Sequence, residues 1–134
     1  MKILSIIPAR SGSKGIKNKN MIKFLGQPLI KRTIEFSKKL PYTTTFVSTD
    51  SIKILRYAKK NNVKFDYLRP KKLSKDNSNI IDAIYHALEW FLNKNIYFDY
   101  FLLLQPTSPL RDLLEIKKII RLTKKKIIKI NIFI

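Results

Sequence analysis

Apolar and polar residues follow one another in blocks whose period changes several times along the chain. Short apolar or β-branched runs are typical of buried strands, whereas apolar residues three and four positions apart indicate helices. These patterns predict strands at residues 2–8, 43–49, 64–68 and 99–104. Helices are predicted in the segments between and after them, at residues 28–39, 52–61, 79–92 and 112–124.

Residues that favour helix starts precede these helices. Pro28 suits a first helical position, and Asp50 or Ser51 can cap the second helix. For Asp50 we favour this cap over a place near a ligand. Asp112, with Glu115 three residues on, has the pattern of a capping box. Strands alternating with helices predict a Rossmann-like α/β fold: a mostly parallel sheet with flanking helices, and ligands beyond the carboxyl ends of the strands.

Composition limits the possible classes of protein. The 134 residues suffice for one domain with a buried core, and the absence of cysteine excludes disulfides and thiolate metal sites. No apolar run has the length of a signal peptide or a membrane span, so we expect a cytoplasmic protein without a membrane partner. The net charge of +19 suits a polyanion, but the basic residues are spread over several predicted helices. A basic nucleic-acid-binding domain is therefore only an alternative.

The loop after the first strand carries residue types that bind phosphate. Glycines at 12 and 15 let backbone N–H groups come close to an anion. Arg10 can bind phosphate oxygens in a fork, and Lys14 and Lys19 supply mobile positive charges. The loop is not a P-loop, which needs Gly-Lys-Ser/Thr at its end, and it lacks the three-glycine spacing of a dinucleotide fingerprint. It is predicted to hold a triphosphate.

The run IPARSGSKGIKNKN at residues 7–20 resembles the N-terminal signature of the acylneuraminate cytidylyltransferases, which activate sialic acid and related nine-carbon keto sugars with CTP. Four more segments match in order: VSTD at 47–50, LRP at 68–70, the region 76–89, and LQPTSPLR at 104–111. The resemblance implies a nucleotide-diphospho-sugar transferase fold. It also implies transfer of CMP from CTP to the anomeric hydroxyl of a sialic-acid-like nonulosonic acid. Legionaminic and pseudaminic acid stay open as the sugar, whereas LQPTSPLR argues against Kdo.

Roles for individual residues follow from the loop and the resemblance. Those implied to bind nucleotide are Pro8, Arg10, Ser13, Lys14, Lys19, Asn20, Arg69 and Ser78. Arg10 and Lys19 are also implied to act in catalysis, and Gln105 and Arg111 to bind the sugar or support its loop. Ile80 departs from the family's small hydroxyl residues and cannot donate a hydrogen bond to the ribose. His86, opposite the apolar stripe of its predicted helix, is predicted to be a solvated surface residue.

Residues 125–134 differ in character from residues 1–124, which resemble the family. After a lysine run the chain reads IIKINIFI, whose alternation allows a strand, although we favour a frameshift in the lysine codons. In the family, aspartates that bind Mg²⁺ lie in an Asp-rich motif near the C-terminus, and no aspartate follows Asp112 here. We therefore expect the Mg²⁺ ligands, much of the sugar site and the homodimer contacts to belong to a missing C-terminal half. This chain alone is expected to hold no metal site and to be inactive.

Overall fold

The computed structural model describes residues 1–12, 16–126 and 132–133, with backbone only at 126, 132 and 133. These residues form six strands, four α-helices and two short 3-10 turns, at Lys19–Met21 and Lys71–Leu73. In chain order the strands and helices are β1 Ile3–Pro8, β2 Lys23–Phe24, β3 Gln27–Pro28, α1 Leu29–Lys38, β4 Thr43–Ser48, α2 Ile52–Lys60, α3 Ile80–Leu92, β5 Tyr100–Leu103, α4 Leu113–Lys126 and β6 Ile132–Phe133.

The larger sheet has the strand order β4-β1-β5-β6, and every neighbouring pair is parallel. Ile3 of β1 is aligned with Thr43 on one side and with Tyr100 on the other. Two hydrogen bonds extend the ladders past the strands: Ala9 N–H donates to Ser48 O at 2.9 Å, and Leu104 N–H donates to Ile6 O at 2.9 Å. The carboxyl ends of β1, β4 and β5 therefore lie side by side, and the predicted α/β fold is confirmed.

Apolar side chains of β1 alternate between two cores, one on each face of the sheet. Ile3 and Ile7 pack in a core with buried residues of α1, α2 and α4. Leu4 and Ile6 pack in a second core with α3 and an aromatic cluster around Phe46. Each fully buried side chain of this size contributes about 1.5–3 kcal/mol relative to exposure. β1 is thus buried on both faces, as its continuous apolar run predicts.

The predicted strand at 64–68 is wrong. Residues 63–69 do alternate between buried and more exposed positions, and Val63, Tyr67 and Arg69 point inward. Among the described residues, however, the one backbone hydrogen bond that ties this segment to the region of β4 runs from Arg69 N–H to the carbonyl of Thr49, just past the strand, at 2.7 Å. Packing of side chains against the core produces this alternation of buried and exposed positions without backbone pairing. A β-type sequence pattern reflects a half-buried surface as much as it reflects hydrogen bonding to a neighbouring strand.

A hairpin that the sequence analysis missed lies between the first loop and α1. β2 and β3 are antiparallel and joined by Leu25 and Gly26, with φ of 50° and 81°. Positive φ at both central residues is the geometry of the common two-residue hairpin turn. Leucine is a poor marker for that turn, so the signal in the sequence was weak. Pro28 ends β3 and is the N-cap of α1, so the helix begins at Leu29, one residue later than predicted.

The hydrogen bonds at the start of α2 decide between the two residues predicted as its possible cap, Asp50 and Ser51. Ser51 accepts a hydrogen bond from Ile54 N–H at 3.3 Å and is the N-cap. The favoured cap role of Asp50 is wrong, because its carboxylate binds Ser11. Asp112 accepts from Leu114 and Glu115 N–H groups, so the predicted start of α4 is confirmed.

His86, on α3, is half-buried and hydrogen-bonded. Its Nδ1 lies 2.8 Å from the hydroxyl of Tyr67, a side chain that is 1% exposed. The predicted role of His86 as a solvated surface residue is therefore wrong, because Tyr67 reaches it from another segment.

The strand that the alternation in the C-terminal segment 127–134 allows lies largely outside the described residues. In this segment the structure describes only the backbone of Ile132–Phe133, which pairs with β5. Within the described part of the chain, every helix is too short or too polar to cross a membrane.

Candidate active site

A cleft of about 270 Å³ opens at the carboxyl ends of the central strands, where ligands of parallel α/β sheets bind. The residues that line it come from the ends of β1 and β5, the first loop, the segment before the second 3-10 turn, and the start of α3. They are Pro8, Arg10, Lys19, Asn20, Arg69, Ile80, Gln105, Pro106 and Thr107. Residues far apart in sequence therefore meet at one site.

Six of the residues predicted for the site line this cleft: Pro8, Arg10, Lys19, Asn20, Arg69 and Gln105. Ser13 and Lys14 lie outside the described residues. Ser78 does not line the cleft. Its hydroxyl donates to Lys72 O at 3.1 Å and accepts from Lys75 N–H at 3.0 Å, which closes a neighbouring loop.

Three cleft residues were not predicted as site residues. Ile80 lines the cleft and adds an apolar surface, in keeping with its lack of a hydrogen-bond donor. Pro106 and Thr107 follow Gln105 directly and enter the cleft with it. The segment LQPTSPLR could have indicated that these two residues belong to the site. Its two prolines stiffen the loop, so residues next to Gln105 keep a fixed place beside it.

The first loop is fastened at both ends. Asp50 accepts from Ser11 N–H and from the Ser11 hydroxyl, each at 2.8 Å. At the other end, the side-chain amide of the buried Asn20 donates to Arg10 O at 3.1 Å. Asp50 thus serves the loop rather than the adjacent helix. A preset loop saves the entropy of ordering it when an anion binds.

Arg10 is half-buried and brings a positive charge of this loop to the cleft. Its Nη1 donates to Asp76 at 2.8 Å, and the Asp76 side chain is largely exposed. An exposed ion pair of this kind contributes roughly 0–1 kcal/mol. Because the pair is weak, a phosphate group could replace Asp76 at little cost.

Arg69 is the buried cation of the cleft, with 4% of its surface exposed. Its Nε donates to Ser48 Oγ at 3.0 Å and its Nη2 to Ser48 O at 2.7 Å. Burial lowers the pKa of Arg69, and the nearby Tyr67 and Asp50 work against that change. Among the described residues none accepts a hydrogen bond from Nη1, so Arg69 has donor capacity left for a ligand.

Arg111 supports the Gln105 loop from outside the cleft. Its Nη2 donates to Gln105 O, which also accepts from Ser108 N–H at 3.0 Å. The guanidinium lies 5.7 Å from the centre of the Phe36 ring, and burial lowers the pKa of Arg111 to about 10. Of the two roles predicted for Arg111, loop support agrees with these contacts, whereas the side chain does not reach the cleft lining.

Carboxylates near the cleft do not fit a magnesium site of their own. Asp50 is engaged by Ser11 and Asp76 by Arg10. Across the described residues, no three His, Asp or Glu side chains gather as metal ligands would. The described part of the chain therefore holds no set of ligands that fits Mg²⁺.

The parallel sheet, the fastened loop and the cationic cleft at the carboxyl ends of the strands have the arrangement in which α/β proteins bind anionic ligands. The sequence model of the family described as cytidylyltransferase matches residues 4–129. The chain therefore belongs to the cytidylyltransferase family, a family of nucleotidyltransferases, and the resemblance predicted from its motifs is confirmed.

Relatives of this chain handle several sugars. It is 41% identical over 124 residues to N-acylneuraminate cytidylyltransferase of Escherichia coli O18:K1:H7. The match covers 90% of this chain and 28% of that protein. It is 36% identical to CMP-N,N'-diacetyllegionaminic acid synthase of Legionella pneumophila, across 98% of this chain and 58% of that protein.

The fold matches that of a CMP:2-keto-3-deoxy-manno-octonic acid synthetase solved with CTP, with a TM-score of 0.75 at 18% identity. The match covers 94% of this chain and 48% of that one. The chain thus spans between about a quarter and three fifths of these proteins.

Proposed function

We propose that this chain forms the nucleotide-binding part of an enzyme that transfers CMP from CTP to a nonulosonic acid of the sialic acid type. The observation that carries the proposal is the meeting of Arg10, Lys19 and Arg69 in one cleft at the sheet edge. Three cations around a single cleft suit a triphosphate, and membership of the cytidylyltransferase family narrows the nucleotide to CTP.

In this reaction the anomeric oxygen of the sugar forms a bond to the α-phosphorus of CTP. The bond from that phosphorus to the bridging oxygen breaks, pyrophosphate leaves with the electron pair, and the hydroxyl proton passes to water. Positioning and charge neutralisation supply most of the catalysis in such transfers. Arg10 and Lys19 would neutralise the triphosphate, with Arg10 exchanging Asp76 for phosphate oxygens.

Recognition of the base falls to Arg69 and the end of β1. Cytosine offers O2 and N3 as acceptors and N4 as a donor. The guanidinium of Arg69 has a free Nη1 for the acceptors, as far as the described residues show, and the backbone at Pro8 would accept from N4. Ile80 would pack on the nucleoside without a hydrogen bond to the ribose.

The acceptor sugar would lie on the side of Gln105 and Thr107. Sialic acid is the sugar we favour, and legionaminic or pseudaminic acid are the alternatives. A complete family member would supply Mg²⁺ ligands, the remainder of the sugar site and homodimer contacts outside the region matched here. The cysteine-free sequence suits a reducing cytoplasm, where we place the reaction.

Calorimetric titration of the chain with CTP tests the nucleotide half of this proposal. Arg10→Ala and Lys19→Ala should each weaken CTP binding by roughly tenfold or more, because each removes a charge-assisted contact. Arg56→Ala, which removes an exposed charge on α2, is the matched control and should leave CTP binding unchanged.

Equal CTP binding by the folded wild type and by both cleft variants would refute the assignment. The nucleic-acid alternative predicts a different pattern. Binding to random DNA would then fall equally in Arg10→Ala and Arg56→Ala and would drop steeply with salt.

A further inference from the structure

A second groove lies between the 3-10 turn Lys19–Met21 and helix α2. Its volume is about 410 Å³, and it shares no lining residue with the active-site cleft. The residues that line it are Met21, Ile52, Lys53, Arg56, Tyr57 and Lys60. Lys19 and Asn20 line the cleft, whereas Met21, the next residue, lines the groove. The two sites therefore share one short turn and use different side chains of it.

The base of this groove is apolar. Met21 and Tyr57 are half-buried and pack against the first core, on the side of the sheet that carries α2. Ile52, the first residue of α2, is 56% exposed although it is a large aliphatic side chain. Apolar side chains grouped at a concave surface and open to water favour contact with the apolar part of another molecule.

Three exposed cations stand around this base. Lys53, Arg56 and Lys60 are three and four positions apart, so they lie on one face of α2. At a rise of 1.5 Å per residue the row is about 10 Å long. In the described part of the chain none of the three forms an ion pair, whereas Lys59 of the same helix pairs with Asp66.

Charge alone would not distinguish this face in a chain whose net charge is +19. The distinguishing feature is the combination of an unpaired row of cations with an open apolar base. None of the described residues that line the groove is acidic, so its positive charge is not neutralised locally. A ligand that matches both parts must carry negative charge and an apolar group together.

We propose that this groove binds a small organic anion that carries several negative charges beside an aromatic or apolar group. Its volume lies within the range of roughly 300–1,000 Å³ that is typical of small-molecule sites. The row of cations is longer than a single phosphate group, which suits a ligand with separated charges. This inference goes beyond the proposed function and does not depend on CTP binding in the cleft.

Pyranine, a flat pyrene ring that bears three sulfonates and one hydroxyl, is a probe with this chemistry. The full chain with ¹³C-labelled methionine methyl groups reports where pyranine binds, because it contains only two methionines, Met1 and Met21. Met21→Leu assigns the two signals. At low ionic strength we expect pyranine to shift the Met21 signal saturably. The Met1 signal should stay, because Met1 precedes β1 at the other end of the sheet.

Substitutions at exposed positions separate this groove from general attraction of anions. Pyranine affinity should fall about fivefold in Arg56→Ala and in Lys60→Ala, since each loses a charge-assisted contact. It should fall about threefold in Ile52→Ser, which loses apolar contact with the ring. Lys59→Ala removes the same charge from the same helix outside the groove and is the matched control. Arg10→Ala is the control for binding in the cleft, and both controls should keep the wild-type affinity.

Sulfate has negative charge without a ring and should bind at least roughly tenfold more weakly than pyranine. An unshifted Met21 signal at saturating pyranine would overturn the proposal. An equal loss of affinity in Lys59→Ala and Arg56→Ala would show unspecific attraction and would also overturn it. A loss in Arg10→Ala with wild-type affinity in Arg56→Ala would move the probe to the cleft, with the same consequence.

Discussion

Replacing Asp50 by asparagine removes the negative charge that fastens the first loop and keeps the size of the side chain. In the wild type this carboxylate accepts from both the backbone N–H and the hydroxyl of Ser11, each at 2.8 Å. Asparagine has one oxygen in place of two, so at least one of these bonds is lost and the other becomes a neutral bond.

The expected size of the effect follows from the charge. A hydrogen bond to an ionised group contributes about 1.5–3 kcal/mol, and both partners here are half-buried. We expect Asp50→Asn to lower the free energy of unfolding by about 2 kcal/mol. Because the freed loop carries Arg10, CTP binding should weaken about tenfold, which equals ~1.4 kcal/mol.

Urea unfolding and calorimetric CTP titration measure the two effects. Ser51→Ala separates the loop from the helix, since it removes the N-cap of α2. It should cost about 1 kcal/mol of stability with CTP affinity unchanged. Asp66→Asn is the charge control: its side chain is 71% exposed and pairs with Lys59, so stability should change by less than ~0.5 kcal/mol.

Asp50→Asn should therefore lower both stability and CTP affinity, whereas Ser51→Ala should lower stability alone. If Asp50→Asn lowers stability and leaves CTP binding at the wild-type value, Asp50 does not organise the loop for the nucleotide. If Ser51→Ala weakens CTP binding as much as Asp50→Asn, the loss belongs to α2 and the reasoning fails.

Four further substitutions, one of them a control, test the fold and the loop that follows β5. Gly26→Ala should lower stability in urea by about 1 kcal/mol, because φ is +81°, whereas Gly12→Ala, in open space at an ordinary φ, should change it by less than ~0.5 kcal/mol. Phe46→Ala should cost about 3–5 kcal/mol and lower the melting temperature by ~10–20 °C, since the ring is fully buried. Arg111→Lys should speed exchange of the Ser108 amide about tenfold, because a lysine cannot reproduce the guanidinium contact with this loop. Unchanged exchange would separate Arg111 from loop support.

Local patterns in the sequence predicted most of the sheet and all four α-helices. β1 and β5 are continuous apolar runs, and α3 has apolar residues at helical spacing, so packing and local preference agree. The segment at 64–68 shows the limit. Its buried and exposed positions do alternate. A strand, however, also needs backbone hydrogen bonds to a second segment, and the local sequence pattern does not show whether such a segment lies close enough.

Long-range polar contacts were the harder part of the site. Asp50 and Ser51 are equally good cap residues in the sequence, and only the approach of Ser11, 39 positions away, separates them. Likewise, His86 falls outside the apolar stripe of its helix, but Tyr67 reaches it from another segment. Arg10 was predicted from the residue types of the loop after β1, whereas Arg69 was predicted only because its motif resembles a family.

The central position of β1 in the sheet also has a consequence for folding during synthesis. Of the described strands β1 is synthesised first. One of its edges receives β4 after some forty residues, whereas the other waits for β5, with Ile3 opposite Tyr100. On the ribosome, that second edge stays open for on the order of ten seconds. An unpaired apolar strand edge is a template for other chains. The strand that leads into the first loop therefore exposes an apolar edge until β5 is made.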